Sequence, residues 1–458
     1  MRYLIYLLLG ICTCVSCIDD ESKLGTNAVS TLSFVTSLDQ SYIREHDSQF
    51  VLTVPETKQE NKEKTLSYEW QVNYKVVSTS KDLNYVCGEY GEFPCRLKIS
   101  NEDGAIFQEF VLKIPYPYEN GVLLLSRYDG RSMMSFRGVN EGASFVKDIY
   151  RLHNPSVELG KDPKGIAFNE RMGCIYIATE DPLRVVKVEH NTMDMLDVLP
   201  YPEKQIEALF TLGSMYTLYF TGGGRIVKLD CGSDTFENGF QQNLTGSSGV
   251  DAMYPDAYLS NNLVSYLYAG EPSSIFAFDT DSKTFLMWDG YSVSETCEEG
   301  LGKSLVKMLL KNNRDALFIM KNDLGEFEII NYDIYYEELE SEVSAAASGI
   351  NDRSVFMLDE GEDKTILYYT DGGNNIFRYN YISEGNFPES SDYTVGNEGD
   401  VIQSMLMDPD GEKLYVAVNA KEGDYRGCVY CYDCETGELL WKERGVAGEI
   451  VQMIYKDK

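Results

Sequence analysis

Three cysteines stand in the run CVYCYDC, at Cys428, Cys431 and Cys434. A C-x-x-C-x-x-C spacing suits zinc or an iron–sulfur cluster, both of which need converging thiolates. The neighbouring residues point elsewhere. Val429, Tyr430 and Tyr432 make this a strand, and strand side chains alternate between faces. Cys428 and Cys431 are three apart, so they point to opposite sides, and only Cys434 falls in the turn that follows. No further cysteine or nearby histidine completes a ligand set. The run is expected to supply small apolar side chains packed between sheets, with no metal and no cofactor.

Other candidate chemistry is equally thin. The acidic turns DTDSKT from Asp279 and DPDGEK from Asp408 lack the spacing of a calcium loop and read as hairpin turns. TGGGR from Thr221 is glycine-rich but joins two strands, whereas a phosphate cradle needs a helix N-terminus after the glycines. The three histidines, His46, His153 and His190, sit in polar, turn-like contexts and are expected at the surface. There is no G-x-S-x-G elbow.

Composition narrows the class. Lys plus Arg number 40 and Asp plus Glu 73, for a net charge of −33 over 458 residues. Such a chain repels phosphate backbones, which excludes nucleic acid as a partner. With 33 Tyr, 38 Gly and many short apolar runs, it reads as all-β.

The first residues are MRYLIYLLLGICTCVSC. Arg2, the apolar run Leu4 to Ile11 and the small residues before Cys17 follow the plan of a secretory signal. The apolar run is far short of the ~20 residues of a spanning helix. The end resembles a bacterial lipobox over residues 1–17, with Cys17 as the acylated residue. Cys14 stands where the motif usually has Leu, and Cys12 and Cys14 are rival acceptors. An ordinary secreted protein is the alternative. Two or three acyl chains would make the membrane anchor nearly permanent. An acidic linker, residues 18–26, begins with Asp19, Asp20 and Glu21. It resembles the surface-export signal of Bacteroidetes lipoproteins, which implies an outer-membrane lipoprotein exposed at the cell surface; a merely solvated linker would leave it facing the periplasm.

Residues 27–116 form one compositional unit of short alternating strands. LSYEW places Trp70 on one of them, and CRLKISNEDGAIFQEFVLKI is two strands about a turn with Asp103 and Gly104. Seven or so short strands around one Trp fit a β-sandwich. These segments resemble the PKD-like, immunoglobulin-type domain of Bacteroidetes lipoproteins, which implies a spacer or recognition module. Cys87 and Cys95 flank YGEFP. In an oxidising compartment they would close a small loop contributing ~2–3 kcal/mol; two free buried thiols are the competing reading.

Residues 117–458 carry an internal repeat. A Leu or Ile followed by an aromatic, a Gly- or Asp-rich turn and then a second apolar strand recurs from Ile175, Leu218, Leu267, Leu317, Leu367 and Leu414, at intervals of about 43 to 50 residues. VLLLSRYDGRSMMSFRG from Val122 is an earlier copy. An extra apolar strand precedes each pair, as in KGIAF, LVKMLL and VIQSMLM, and a fourth follows, ending at Trp288 or Trp441. Four-strand units at this period predict a β-propeller of seven blades. The first copy lacks an inner strand, and GEIVQMIYKDK is left over at the C-terminus. That segment is expected to complete the first blade and close the ring.

Propellers bind through loops on one face. The turns between second and third strands hold Tyr128, Asp129 and Arg131, Thr221 to Arg225, Glu271, Asp371 to Asn375 (Asn374 included) and Asn419 to Tyr425. Their mix of aromatic and charged groups suits a sugar, a peptide or a protein; solvated turns are the plainer reading. The whole chain resembles the PKD-like family lipoproteins of Bacteroidetes, whose genes accompany SusC/SusD-like importers. That implies a non-catalytic role in capturing a glycan or peptide beside such importers. A propeller-type lyase or hydrolase is the alternative, weakened by the scarcity of His; a structural scaffold is the third. The Cys17→Ala variant should lose acyl labelling and leave the membrane fraction. Labelling that survives in Cys17→Ala and disappears in Cys14→Ala would move the anchor to Cys14.

Overall fold

The computed structural model describes residues 29–61, 63–238, 257–268, 271–288, 293–296, 302–311, 315–334, 336, 338–345, 348–359, 365–382 and 386–457. The lipobox with Cys17 and the acidic linker lie outside them. Among the described residues the chain is all-β apart from one short helix, Ile149–His153, and no helix is long and apolar enough to cross a membrane. It divides into two compact units, Met1–Tyr116 and Pro117–Lys458.

The first unit centres on a five-stranded sheet. Its order is Ser41–Ile43, Ala105–Ile114, Gly91–Ser100, Ser67–Val72 and Lys75–Ser78. Gly91–Ser100 alternates, so Phe93, Cys95, Leu97 and Ile99 all point inward. Two small ladders accompany the sheet, Leu32–Phe34 with Thr57–Gln59 and Gln49–Leu52 with Leu83–Val86. Trp70 is fully buried among Phe50, Leu97 and Phe110, and its indole N–H donates to the Ser80 carbonyl at 3.2 Å. In the Asp103–Gly104 turn, Asn101 Oδ1 accepts from the backbone N–H of Asp103 (2.9 Å) and of Gly104 (3.0 Å). The hairpin between Val72 and Lys75 is tighter. Asn73 and Tyr74 both have positive φ, +48° and +63°. Such a turn normally ends in glycine, and a bulky residue in the left-handed region costs ~1–2 kcal/mol.

Among its described residues the second unit contains seven four-stranded antiparallel sheets. Six take their strands consecutively: Lys161–Asn169 to Met195–Pro200, Ala208–Phe210 to Thr235–Asn238, Val264–Tyr268 to Val293–Thr296, Ser304–Leu310 to Glu338–Ser344, Phe356–Leu358 to Tyr393–Thr394, and Val401–Met407 to Leu439–Ala447. The sheet that precedes them in the chain runs Val146–Lys147, Arg131–Gly138, Gly121–Tyr128 and then Glu449–Lys456 from the far end of the sequence. Counting that sheet as first, seven hydrophobic clusters link first to second, second to third, and so on, and the last joins seventh to first. Every sheet therefore has both faces covered. This is why second strands such as CIYIAT and VLLLS are continuous apolar runs rather than alternating ones.

Glu449–Lys456 pairs antiparallel with Gly121–Tyr128 from Gly121↔Lys456 to Arg127↔Glu449. Side chains reinforce it. Asn419 exchanges two bonds with the Ile450 backbone, at 3.0 and 2.7 Å. The Lys456 ammonium, fully buried, donates to the Tyr118 and Glu119 carbonyls and to Asn191 Oδ1. At Gly448 an added Cβ would lie 2.1 Å from the Arg127 carbonyl.

One copy departs from the expected pattern. Val264–Tyr268 and Glu271–Asp279 are the first and second strands of the fourth sheet, not its second and third. The strand ending at Trp288 is third, and Val293–Thr296 is fourth. Glu271 thus opens the second strand, opposite Tyr268 of the first, and the DTDSKT segment makes the turn between second and third. First and second strands are both apolar, so a hydrophobic pattern does not distinguish them; the Leu259↔Asp279 bridge, which extends the first strand, does. Removing residues 447–458 should abolish cooperative unfolding of the second unit. Gly448→Ala should cost about 2–3 kcal/mol by forcing the backbones apart, read as a lowered Tm by calorimetry.

Candidate functional site

Ion pairs join the turns between second and third strands and the adjoining strand ends to one another and to neighbouring sheets. Arg127 pairs with Asp162, and Lys164 bridges Asp162 (2.9 Å) and Glu180 (2.6 Å). Lys283 meets Asp323 at 2.9 Å and Lys321 meets Asp352 at 2.7 Å. These pairs are part-exposed, and each contributes at most ~1 kcal/mol.

The sequence-selected residues fall into this framework differently. Tyr128 stacks on Tyr425 with centroids 4.2 Å apart and planes 7° apart. Arg131 lies 5.8 Å from the Tyr128 ring and Lys147 4.1 Å from the Tyr425 ring. The two rings are a cation-capped stack across the seam of seventh and first sheets. The hydrogen bond with Tyr425, then burial, pushes the Tyr128 phenol up to about 12. Asp129 is exposed in the turn at φ +47°. Arg225 is exposed and 3.9 Å from Glu203. Asp371 organises its own turn, accepting from the backbone N–H of Gly373 (2.9 Å) and from Asn375 Nδ2 (2.7 Å). Asn374 Nδ2 donates to the Asn397 carbonyl at 3.2 Å. Of the six, Tyr128, Asp129 and Arg131 share one turn, Asp371 and Asn374 share another, and Arg225 stands apart from both.

Arg131 also reaches a feature that spacing did not reveal. It pairs with Asp148 at 2.8 Å. Both line a cavity of about 120 Å³ between the first sheet and the loop after the short helix, with Ser132, Tyr150, Asn154 and Glu158. Ser132 and Tyr150 are 4 % and 2 % exposed. Neither hydroxyl has a hydrogen-bond partner among the described residues. Burial raises the Tyr150 phenol, so it stays a neutral O–H donor. Two desolvated hydroxyls flanked by an Arg–Asp pair can bind a group that both donates and accepts, a hydroxyl or a small polar end. Tyr150 escaped the sequence reading because it lies in the only described helix, outside the repeat, and Ser132 because its partners in the cavity come from that insertion.

Asp400 holds the neighbouring loop. It accepts from the backbone N–H of Asn397 (2.9 Å) and Lys421 (3.0 Å) and from Arg444 (3.0 Å). Burial alone would raise its carboxyl, but these donors outweigh burial and lower it.

A second cavity, about 350 Å³, opens beside the inner strands of the first three sheets. Ile166, Phe168, Leu209, Phe210 and Ile454 make it largely apolar, and Gln452 there already accepts from the Ile166 N–H at 2.9 Å. Half-buried Lys307, on the inner strand of the fifth sheet, has its pKa lowered by burial.

Cys428 packs between sixth and seventh sheets and Cys431 between seventh and first, on opposite faces. All seven described cysteines are free thiols, Cys87 and Cys95 included, and both of these are buried in the first unit's core. His46 stacks on Tyr90 and His153 bonds the Tyr118 hydroxyl at 3.0 Å. His190, expected at the surface, is largely buried against Phe168; the apolar strand facing its turn covers it. Burial lowers its pKa.

No family model matches the chain, and no curated protein matches it. Solved structures do. A quinoprotein alcohol dehydrogenase-like protein from Bacteroides thetaiotaomicron is 16% identical with a TM-score of 0.53, covering 94% of this chain and all of that one. A 6-phosphogluconolactonase-like protein from Bacteroides uniformis is 16% identical with a TM-score of 0.49 over 74% of this chain and 99% of that one. The β-propeller domain of Cps50 (Swd1) from Myceliophthora thermophila is 12% identical, TM-score 0.43, over 63% and 87%. At these identities the likeness concerns fold alone: the chain is all-β and propeller-like.

Because its pKa is lowered on folding, Asp400 contributes stability that is present above the unfolded carboxylate value of about 3.9 and is lost as pH falls through its folded value. Asp400→Asn should therefore lower Tm near neutral pH and flatten the acid limb of the Tm–pH profile below about pH 4.

Proposed function

We propose that this chain is a surface-exposed outer-membrane lipoprotein, anchored through Cys17, that binds a glycan or peptide without transforming it. In this reading residues 27–116 are a PKD-like sandwich and residues 117–458 a seven-bladed propeller closed by its C-terminal strand. What supports the ring is the seven four-stranded sheets and the cluster that joins seventh to first. What supports the anchor and location is the sequence MRYLIYLLLGICTCVSCIDDE. The partner class that fits is a SusC/SusD-like importer, which would receive the captured nutrient.

The observation that carries binding is the pair of buried, unpartnered hydroxyls of Ser132 and Tyr150 in the cavity beside Arg131. An unsatisfied buried hydroxyl costs ~1–3 kcal/mol, and a ligand group entering the cavity removes that cost. Carboxylates come together at Asp315, Asp333 and Glu340, whose ligand atoms lie within 4.8 Å. Lys311 answers that charge, 3.9 Å from Asp315 and bonded to Asn331, so the group reads as part of the fifth sheet's own polar network.

The first experiment is recovery of the lipidated protein from gently solubilised outer membranes, with co-purifying proteins identified by mass spectrometry. A SusC/SusD-like pair is expected, and that pair's substrate becomes the ligand tested. Tyr150→Phe should keep or raise Tm while weakening ligand binding several-fold. A protein that comes down alone and binds neither extracted glycans nor peptides would overturn the reading.

A further inference from the structure

The first unit carries a groove of about 340 Å³ on the outer face of its five-stranded sheet. Its polar row crosses three strands in register, Gln71↔Arg96 and Arg96↔Glu109. The adjoining row is apolar, Pro94 opposite Val111. Tyr74 stands at the hairpin tip beside it, 82% exposed. Its φ of +63° is the conformation a two-residue hairpin reserves for glycine. A bulky residue kept where glycine is strain-free, with its ring in water, is accounted for by what the ring meets.

We propose that this groove binds a neutral saccharide, with Tyr74 stacking on the apolar face of a sugar ring and Gln40, Gln71, Arg96 and Glu109 taking its hydroxyls. The chemistry follows from the lining. Arg96 and Glu109 are neighbours of opposite charge, so together they favour no net ligand charge. Between them the amides, guanidinium and carboxylate offer donors and acceptors in one patch, as a polyhydroxyl ligand requires. Gln71 uses one amide hydrogen on Glu69 at 2.6 Å, and the Arg96 Nε–H has no partner among the described residues. The Phe107 ring, 5.1 Å from the Arg96 guanidinium, holds that group in place. A peptide has less to gain. The floor strand Gly91–Ser100 is hydrogen-bonded on both sides, so no strand can be added here. Recognition falls to side chains. The groove lies in the first unit and shares no residue with the cavity beside Arg131, so failure of either site leaves the other standing.

The test is calorimetric titration of the full-length protein with neutral gluco-, xylo-, manno- and galacto-oligosaccharides of two to six units. At least one should bind, with little dependence on salt. Tyr74→Gly should weaken it tenfold or more while Tm holds or rises, because glycine relieves the turn. Tyr74→Phe should retain affinity within a few-fold, and Arg131→Ala should leave it unchanged. The proposal is overturned if no member of the panel binds the wild-type protein, if Tyr74→Gly binds as wild type, or if binding is lost with Arg131→Ala instead.

Discussion

The antiparallel pairing of Glu449–Lys456 with Gly121–Tyr128 is the contact on which the second unit depends. Each sheet has two apolar faces and is stable only between two others. A linear row would leave the outer faces of the first and seventh sheets in water. The returning strand supplies the first sheet's missing member and brings the seventh sheet against it, burying Val122, Leu124, Tyr415 and Val429 in one cluster. The buried Lys456 is tolerable there because two carbonyls and Asn191 Oδ1 accept hydrogen bonds from its ammonium.

Covering every face also accounts for the tyrosine content. Tyr176, Tyr332, Tyr369 and Tyr379 are among the largest fully buried side chains. Their rings lie in the clusters between adjacent sheets, where bulky side chains fill the space between two apolar faces. The excess of acid remains on the turns, where Lys283, Lys321 and Arg127 answer part of it. At the Asp371 turn the polar groups are taken up locally and by a neighbouring loop: Asp371 accepts from Gly373 and Asn375, and Asn374 donates to the Asn397 carbonyl.

The turn of the first sheet differs from the others. Here Tyr128 and Arg131 reach opposite ways: Tyr128 stacks on Tyr425 across the seam of seventh and first sheets, and Arg131 pairs with Asp148 beside the short helix, which packs between first and second sheets. The helix is an insertion between the first and second sheets, and the loop after it lines a polar cavity with Arg131 and Ser132.

Much of this was legible in local pattern. Period-two alternation in CRLKIS, turn chemistry at Asp103–Gly104, recurrence of the LYF-type strands and the unmatched GEIVQMIYK were enough to anticipate strands, repeats and the returning segment, because each depends on neighbouring residues or on a simple count. The opposite faces of Cys428 and Cys431 followed from strand geometry alone. The strand order of the fourth sheet did not, since first and second strands bury the same kind of side chain and only pairing separates them. Nor did the cavity of Ser132 and Tyr150, the capping of Tyr128 by cations, or the groove under Tyr74. These juxtapose residues from different strands or sheets, and distance between such residues is set by packing, which no stretch of sequence encodes by itself.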